Sequence, residues 1–241
     1  HHSTYLDDKL GFLSKQMIEK IERYKETDPD YYRWMYLGEV IGLGNHVYNM
    51  NYFKPLESLP EDDRLIGISF ALDTGHQQSA TACGAYGLTA KGNVILLDTF
   101  YYSPAGKTVK KAPSELTVMI HDFIDDVMKT YRVPKLKMTI DSAEGALRNQ
   151  YFKDYGERWR PVAKKKNQTM IDMVISLLAE GRFYYLDIPA NKIFVEEHKM
   201  YRYDDKSLNT DDPKVIKEDD HTVDEFKYFV LDNARELDLK A

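Results

Sequence analysis

The chain has 241 residues, of which 43% are hydrophobic, 12% aromatic and 30% charged, with a net charge of −6. This much apolar and aromatic side chain excludes a largely disordered polypeptide and predicts one good-sized core with attachments, or two small domains. No run approaches the roughly 18–20 apolar residues of a membrane span, and the single cysteine excludes an internal disulfide or a cysteine-based metal site and fits a reducing cytosol.

The charges are unevenly distributed along the chain. Residues 100–170 carry 14 Lys and Arg against 8 Asp and Glu, whereas residues 187–241 carry 9 against 15. Cations bind a phosphodiester backbone and clustered carboxylates hold metal ions, so this pattern is typical of an enzyme that acts on phosphodiesters. Ordinary scatter of surface charge would give similar counts, and the pattern alone does not decide between the two.

Residues 3–64 are predicted to form a helical extension and a linker. Apolar residues at helical spacing indicate an amphipathic helix over residues 5–26. A second helix is predicted from Asp28, as N-cap, to about Val40. The proline-containing polar stretch that follows indicates a linker, and the domain boundary is predicted between residues 64 and 65. His1 and His2 are interpreted as the remnant of an affinity tag.

From residue 65 to residue 241 the pattern changes to strands and helices. Three consecutive strands with short turns are predicted at residues 65–72, 80–88 and 93–101. Helices and strands then alternate: helix 113–131, strand 135–140, a helix ending at 155, strand 159–162, helix 169–180 and strand 182–186. A β-hairpin insertion is predicted at 188–217 and a last helix at 223–237. This order predicts an α/β fold, with three antiparallel strands followed by parallel strands and with helices on both faces.

Two of the predicted strands end in an aspartate. Asp73 follows the first apolar strand, and Asp141 follows the strand that ends at Ile140. Ligands of open sheets bind beyond the strand ends, and a carboxylate there is partly desolvated, so it needs a cation or hydrogen-bond donors. One such aspartate alone is better explained as a turn residue that bonds its own backbone. Two in matching positions favour a functional site.

A third acidic group precedes the last predicted helix, in the sequence Glu218-Asp219-Asp220-His221-Thr222-Val223-Asp224-Glu225. His221 and Asp224 are three residues apart and share a helix face. A capping box from Thr222 to Glu225, with acids favoured by the helix dipole, explains part of this pattern. It explains neither His221 nor five acids within eight residues. A divalent cation would relieve the repulsion among these acids, which favours a metal site.

Three acids from two strand ends and one helix start are enough for two-metal chemistry. Their oxygens can bind a pair of Mg²⁺ ions roughly 3.5–4 Å apart, of which one generates the attacking hydroxide and the other neutralises the leaving oxygen. No side-chain nucleophile is then required, and the sequence presents no paired Ser–His–Asp or Cys–His motif.

These acidic motifs resemble the ribonuclease H-like nuclease domain of tailed-bacteriophage terminase large subunits, within the retroviral-integrase-like superfamily. The most specific element is Asp220-His221-Thr222-Val223-Asp224-Glu225-Phe226-Lys227-Tyr228, and residues 30–39 are similar to the segment that leaves the terminase ATPase domain. The resemblance implies a metal-dependent endonuclease that cuts concatemeric double-stranded viral DNA during packaging. It implies two Mg²⁺ or Mn²⁺ ions held by Asp73, Asp141, Asp224 and His221. The three aspartates are the catalytic acids, and Glu144 and Asp220 are possible supporting residues.

The same resemblance implies the setting in which the protein works. The partners would be double-stranded DNA, the terminase small subunit and the portal protein, in the host cell cytoplasm and without a membrane. Because the sequence holds no G-x-x-x-x-G-K-[ST] motif, this chain is expected to cut DNA without translocating it.

Two lysine clusters are the candidate DNA contacts. Lys164, Lys165 and Lys166 precede a helix, and Lys107, Lys110 and Lys111 share one loop. Such clusters bind phosphates without sequence preference, although a solvated charge run is an equal alternative for the second cluster. Two other functions stay open: a Holliday-junction or transposase-type nuclease of the same fold, and a non-catalytic packaging or docking module.

Overall fold

The computed structural model describes residues 4–8, 11–13, 15–27, 32–33, 36–37, 44–75, 79–208, 210 and 213–239. The chain divides into two compact units, residues 1–45 and residues 46–241.

The first unit contains helix α1, Lys15–Thr27, which begins later than predicted. Ahead of it, Tyr5–Asp7 form a single 3-10 turn, and the Asp8 carboxylate accepts the backbone N–H groups of Phe12 and Leu13. These bonds turn the chain before α1 and explain the later start. The second predicted helix, from Asp28 to about Val40, falls largely outside the described residues.

A seven-stranded mixed sheet forms the centre of the second unit, in the order β1-β7-β4-β3-β2-β5-β6. The strands are β1 Lys54–Leu56, β2 Leu65–Asp73, β3 Thr81–Thr89, β4 Val94–Tyr102, β5 Lys135–Ile140, β6 Arg160–Pro161 and β7 Phe183–Leu186. Strands β2, β3 and β4 pair antiparallel, and the other four pairings are parallel. The predicted mixed sheet is therefore confirmed.

Helices cover both faces of the sheet. They are α2 Pro113–Tyr131, α3 Gly145–Tyr155, α4 Asn167–Ala179, α5 Lys192–Met200 and α6 His221–Asp232. One core packs α2 and α3 against alternate residues of β2, among them Phe70 and Leu72, and includes the buried Cys83. The other core packs α4, α5 and α6 against the opposite face, around Phe226. Among the described residues, no helix is long and apolar enough to cross a lipid bilayer.

Strand β1 lies in the stretch that the sequence assigned to the linker. It pairs in parallel with β7 at one edge of the sheet, so the compact unit begins at residue 46, before the predicted boundary between residues 64 and 65. A three-residue strand is too short to show an alternating pattern. Pro55 also argues against a strand, although an edge strand tolerates a residue without an N–H donor.

The β-hairpin predicted for residues 188–217 is wrong over Lys192–Met200, which form helix α5. This helix buries Phe194, Glu197 and His198 on one face. Two polar residues in the buried stripe hide the apolar periodicity from which a helix is predicted. Hairpin character is confined to the residues after α5, where Tyr203 and Val215 form an antiparallel bridge.

His198 gives a first testable consequence of this packing. Its ring centroid lies 4.0 Å from that of Phe194 and 5.2 Å from that of Phe53. Burial lowers the pKa of His198 to about 3, and the charge of Lys227 acts in the same direction. The neutral ring therefore contributes stability above the unfolded-state pKa of about 6.5, and this stability is lost as the pH falls towards 3.

We expect His198→Phe to be more stable than the wild type by about 2 kcal/mol at about pH 5. Near pH 7.5 the advantage should vanish, because no protonation cost is relieved there. At both pH values the lost bond from Nδ1 to the Phe194 carbonyl, 2.8 Å long, is offset by removal of the buried, unpaired Nε2. Urea unfolding at both pH values measures the difference. If the difference in free energy of unfolding between variant and wild type is the same at both pH values, His198 is not a buried neutral histidine.

Candidate functional site

The predicted acids of the two strand ends lie side by side. Strands β2 and β5 are parallel neighbours with Leu72 opposite Ile140, so Asp73 and Asp141 leave the sheet at the same edge. Side chains alternate along a strand, and Leu72 packs on the α2–α3 face. Asp73 therefore falls on the opposite face, where α6 begins and carries Asp224 in its first turn.

Tyr228, one helical turn after Asp224, links the three acids electrostatically. Its hydroxyl lies 3.4 Å from Asp141 Oδ2, and the side chain is almost fully buried. Burial raises the pKa of Tyr228, and the negative charges of Asp224, Asp73 and Asp141 raise it further. All three predicted acids thus act on one phenol. The sequence did not single out Tyr228, although its spacing of four residues from Asp224 places both on one helix face.

Asp73 forms a close pair with His221. The distance from Asp73 Oδ2 to His221 Nδ1 is 2.8 Å, and Asp73 is 8% exposed. Burial raises the pKa of Asp73, as do the charges of Asp224 and Asp220, although the bond from His221 opposes this rise. For His221, burial alone would lower the pKa, but the bond to Asp73 and its charge raise it above the ordinary value.

Asp141 uses its two carboxylate oxygens differently. Oδ1 accepts the backbone N–H of Ala143 at 3.0 Å, which is the turn-forming role considered from the sequence. Oδ2 is paired with Lys164 and faces Tyr228. Burial alone would raise the pKa of Asp141, but the Ala143 N–H and the Lys164 ammonium hold it below its ordinary value. The Asp141 carboxylate thus stabilises its turn through one oxygen and pairs with a lysine through the other.

Two lysines hold Asp224. Lys217 Nζ lies 2.9 Å from Asp224 Oδ2 and 2.8 Å from Asp220 Oδ2. Lys227, whose side chain is 1% exposed, approaches Asp224 Oδ1 and also donates to Asn167 Oδ1 at 2.7 Å and Tyr201 Oη at 3.0 Å. Burial on its own would raise the pKa of Asp224, but the two lysines hold it below its ordinary value.

The start of α6 is fixed by a residue from α5. Glu197 Oε2 accepts the backbone N–H and the hydroxyl of Thr222, each at 2.7 Å, and Oε1 accepts the hydroxyl of Tyr101 at 2.7 Å. The capping box from Thr222 to Glu225 is therefore wrong, because Glu225 is buried and bonded to Tyr86 instead. Glu197 lies too far upstream for a local capping pattern to reveal it.

The remaining predicted residues lie around this edge of the sheet. Glu144 is buried in the turn after Asp141, where its N–H donates to the Asp141 carbonyl at 3.1 Å. The lysines at 164–166 line a cleft of about 800 Å³ that Lys217, Asp224 and Tyr228 also line.

The structure does not bring the second lysine cluster into this cleft. Lys107 packs over the ring of Tyr102, 4.0 Å from its centroid, and Lys111 pairs with Glu115 at 2.9 Å. Neither these two nor Lys110 belongs to the cleft lining among the described residues.

The donor set fits a divalent ion in its chemistry. Carboxylate oxygens suit Mg²⁺ and Mn²⁺, and an imidazole nitrogen adds affinity for Mn²⁺. As they stand, however, no three His, Cys, Asp or Glu side chains of the described residues lie close enough together to hold an ion. The acids face protein cations instead. Of these, Lys164 and Lys217 have side chains 38% and 54% exposed, so an ion can replace them without burying an unpaired ammonium.

Comparison with known proteins places these residues in a family. A family model described as the terminase RNase H-like domain matches residues 73–232, and one described as the phage terminase large subunit matches residues 1–39. The terminase large subunit of Bacillus phage SPP1 is 26% identical over 247 residues, which cover 99% of this chain and 52% of that protein. The chain thus spans about half the length of the curated relative that it matches.

Solved structures share the fold. The large terminase of a thermophilic bacteriophage is 22% identical with a TM-score of 0.65, over 95% of this chain and 54% of that chain. The SPP1 large terminase nuclease domain with bound Mn is 15% identical with a TM-score of 0.55, over 78% and 98%. The large terminase nuclease of the thermophilic phage G20c with bound magnesium is 13% identical with a TM-score of 0.50, over 77% and 96%.

The first family model covers more than half of the chain and spans Asp73, Asp141 and Asp224 together. The chain therefore belongs to the terminase RNase H-like domain family.

Proposed function

We propose that this chain is a divalent-metal-dependent endonuclease that cuts concatemeric double-stranded viral DNA during genome packaging. The observation that carries the proposal is that Asp73 and Asp141 end two adjacent parallel strands at the same edge of the sheet. The bond between His221 and Asp73 places the first turn of α6, which carries Asp224, at that edge. Nuclease domains of similar fold with bound Mn or bound magnesium support it. In this proposal the three aspartates and His221 hold two ions, and Glu144 and Asp220 support them.

When bound, the two ions would supply an activated water and would neutralise the leaving 3′ oxygen. The chain itself positions the groups that hold them. His221 orients the Asp73 carboxylate, and Glu197 fixes the turn of α6 that carries Asp224. Lys164 and Lys217 balance the charges of Asp141 and Asp224, and bound ions would take over this role. The displaced ammonium groups remain in the cleft, where they can bind the phosphates of the substrate.

Family membership also suggests where such an enzyme works. We infer that the substrate is double-stranded DNA, that the partners are the terminase small subunit and the portal protein, and that cutting takes place in the host cell cytoplasm. A branched-DNA nuclease of the same fold would differ in substrate: a four-way junction would be cut faster than a linear duplex of the same sequence.

A non-catalytic docking module is the second candidate function. The observation that favours it is that a side chain of the protein already contacts each predicted acid: Lys164 pairs with Asp141, Lys217 with Asp224, and His221 bonds to Asp73. A domain that never binds metal would need this neutralisation permanently. An enzyme needs this neutralisation only while no divalent ion is bound, so a measurement of DNA cutting separates the two candidate functions.

The test of the proposed function is cutting of supercoiled plasmid with Mn²⁺, Mg²⁺ or EDTA. We expect cutting with either ion, faster with Mn²⁺ because imidazole suits the softer ion, and none with EDTA. Asp141→Asn should lower the rate by more than about 100-fold, since even residues that only orient a metal ligand are worth about 10–100-fold. The matched control is Asp126→Asn, at an exposed position of α2. Undiminished cutting by Asp141→Asn would remove Asp141 from the site.

The lysine cleft gives a separate prediction about DNA binding. Lys165→Gln with Lys166→Gln should weaken duplex binding and reduce the slope of log affinity against log salt by about 2, one for each lost phosphate contact. Fluorescence anisotropy in EDTA measures the binding without cutting. Lys129→Gln, 72% exposed on α2, is the control and should change little. An unchanged slope in the double variant would mean that this cleft does not bind the DNA backbone.

A further inference from the structure

A second cavity lies beside β6, the strand that pairs with the last residues of β5. It has a volume of about 520 Å³ and is formed by α3, β6 and the turn between them. Arg148, Arg158 and Arg160 line it together with Phe152 and Trp159. Its size is within the range of ligand-binding pockets. Neither the acids nor the lysines of the candidate site belong to its lining as described.

The local sequence explains how the cavity forms. Arg148 and Phe152 are four residues apart and therefore share one face of α3. The helix ends at Gly156, whose φ of +72° is the left-handed conformation that glycine adopts without strain. This turn brings the next residues back over α3, so that the Arg158 guanidinium lies 4.2 Å from the centroid of the Phe152 ring.

The polar lining of the cavity consists mostly of hydrogen-bond donors. Guanidinium and indole groups donate but do not accept. The Nε of Arg148 and the Nε1 of Trp159 are buried and have no acceptor, and Trp159 is 3% exposed. Unpaired buried donors are costly unless an acceptor reaches them. No aspartate or glutamate lines the cavity, and the only ion pair of its arginines among the described residues is a long one, 3.9 Å, from Arg160 to Asp232.

The Phe152 ring prepares Arg158 for an anion. A guanidinium held over an aromatic face keeps its N–H fork oriented and is weakly hydrated, so little is lost when it binds a planar or tetrahedral oxyanion. Phe152 is 41% exposed, and this stacked pair lies at the surface where a ligand can reach it. Three arginines in one cavity without an acid in its lining define the ligand as an anion with several acceptor oxygens.

The position of the cavity identifies the source of that anion. Pro161 pairs with Ile140, so β6 ends about 4.8 Å from the strand that carries Asp141. Only a few residues further along the same segment, Lys164 pairs with Asp141 and lines the lysine cleft. One continuous stretch of chain thus carries two arginines of this cavity and the three lysines of the cleft.

We propose that the cavity lined by Arg148, Arg158 and Arg160 binds a backbone phosphate of the nucleic acid, away from the phosphodiester that is cut. The choice of nucleic acid as the source of the phosphate rests on the proposed function. The cavity sets the register of the duplex across the strand ends, because a phosphate held here fixes which phosphodiester lies over Asp73 and Asp141.

The test is duplex binding by the full chain in EDTA over a salt series, so that no cutting interferes. Arg158→Gln with Arg160→Gln should weaken binding about 10-fold and lower the salt slope by about 2. The matched control is Arg64→Gln with Arg132→Gln. Both residues are exposed and precede β2 and β5, so they lie at the opposite end of the sheet. The control should change affinity less than about 2-fold.

A second arm distinguishes a backbone phosphate from a free anion. Isothermal titration with inorganic phosphate should give weak binding to the wild type and none to the Arg158→Gln, Arg160→Gln variant. If DNA affinity is unchanged in that variant, the inference about nucleic acid is overturned, whether or not free phosphate binds. If the double substitution changes neither the affinity for DNA nor the binding of inorganic phosphate, the cavity is not an anion site. The altered arginines are exposed, and a thermal unfolding curve checks that the variant remains folded.

Failure of this inference is separable from failure of the proposed function. Binding is measured without divalent ions, so the arginine variants report on the cavity even if the chain proves unable to cut. Conversely, consider the result that cutting depends on Asp141 while DNA affinity is the same with and without Arg158 and Arg160. In that case the proposed nuclease function stands and the phosphate-binding role of the cavity is rejected.

Discussion

Replacing Asp73 with asparagine is expected to abolish plasmid cutting and to leave the folded protein at least as stable as the wild type. Asp73 is nearly buried at the end of β2, and its Oδ2 is bonded to His221. An amide of the same shape keeps the packing but removes the charge that would bind a divalent ion. The loss of rate should exceed about 100-fold, because the altered group is a proposed ligand and not merely an orienting partner.

The effect of Asp73→Asn on stability has a defined sign. The pKa of Asp73 is raised above its ordinary value, chiefly by burial. A raised pKa means that this carboxyl group favours folding at pH values below its ordinary pKa, and that the contribution is lost as pH rises through the folded value. At neutral pH the buried charge is therefore a cost, which asparagine removes. The same change removes the charge that raises the pKa of His221, and this loss offsets part of the gain. A variant that is inactive and no less stable separates a functional carboxylate from a structural one.

Plasmid cutting with Mn²⁺ and urea unfolding at neutral pH measure the two effects together. Asp126→Asn on α2 is the control for a lost surface carboxylate and should behave as the wild type in both assays. If Asp73→Asn cuts at the wild-type rate, Asp73 is not in the active site. If it is inactive but strongly destabilised, its loss of activity reports on folding.

Replacing Lys227 with methionine should cause the largest loss of stability among the changes considered. The Lys227 ammonium is buried on α6 and bonds to Asp224, Asn167 and Tyr201. Methionine fills the space of the side-chain stem but leaves these acceptors without their donor. Removing one partner of a buried ion pair typically costs about 3–5 kcal/mol, and we expect about 3 kcal/mol because Asp224 keeps Lys217.

Urea unfolding of Lys227→Met against Lys129→Met tests this expectation. Lys129 is exposed on α2, where its ion pairs contribute little, and its variant should unfold within about 0.5 kcal/mol of the wild type. Equal midpoints for the two variants would mean that the buried ammonium does not hold Asp224. Cutting by Lys227→Met should also fall, because Asp224 loses the contact that fixes its orientation.

The sequence predicts much of the sheet and of the site because the relevant signals are local. Asp73 and Asp141 each follow an apolar strand directly, and the structure pairs these two strands in parallel. Strand ends and apolar runs are set by neighbouring residues, so a single chain is enough to find them.

Contacts between distant segments could not be predicted from the sequence in the same way. Glu197 holds the first turn of α6 from another helix, and that helix is concealed by the polar residues in its buried stripe. Tyr228 and Lys227 appear from the sequence as ordinary helix residues. The contact of Tyr228 with Asp141 and the bonds of Lys227 to Asn167 and Tyr201 follow only from what α6 packs against. Lys227 is three residues from Asp224 on the same helix, whereas Lys164 and His221 reach Asp141 and Asp73 from distant positions that no spacing rule identifies.

The most direct test of the central claim is a crystal of the protein soaked in Mn²⁺ and measured for anomalous scattering. The claim is that Asp73, Asp141 and Asp224 together bind divalent ions once Lys164 and Lys217 withdraw. It predicts anomalous peaks about 2.0–2.4 Å from oxygens of these carboxylates, with both lysines displaced from the positions they have without metal. Crystals that bind Mn²⁺ nowhere near Asp73, or that keep Lys164 on Asp141 at saturating Mn²⁺, would contradict it.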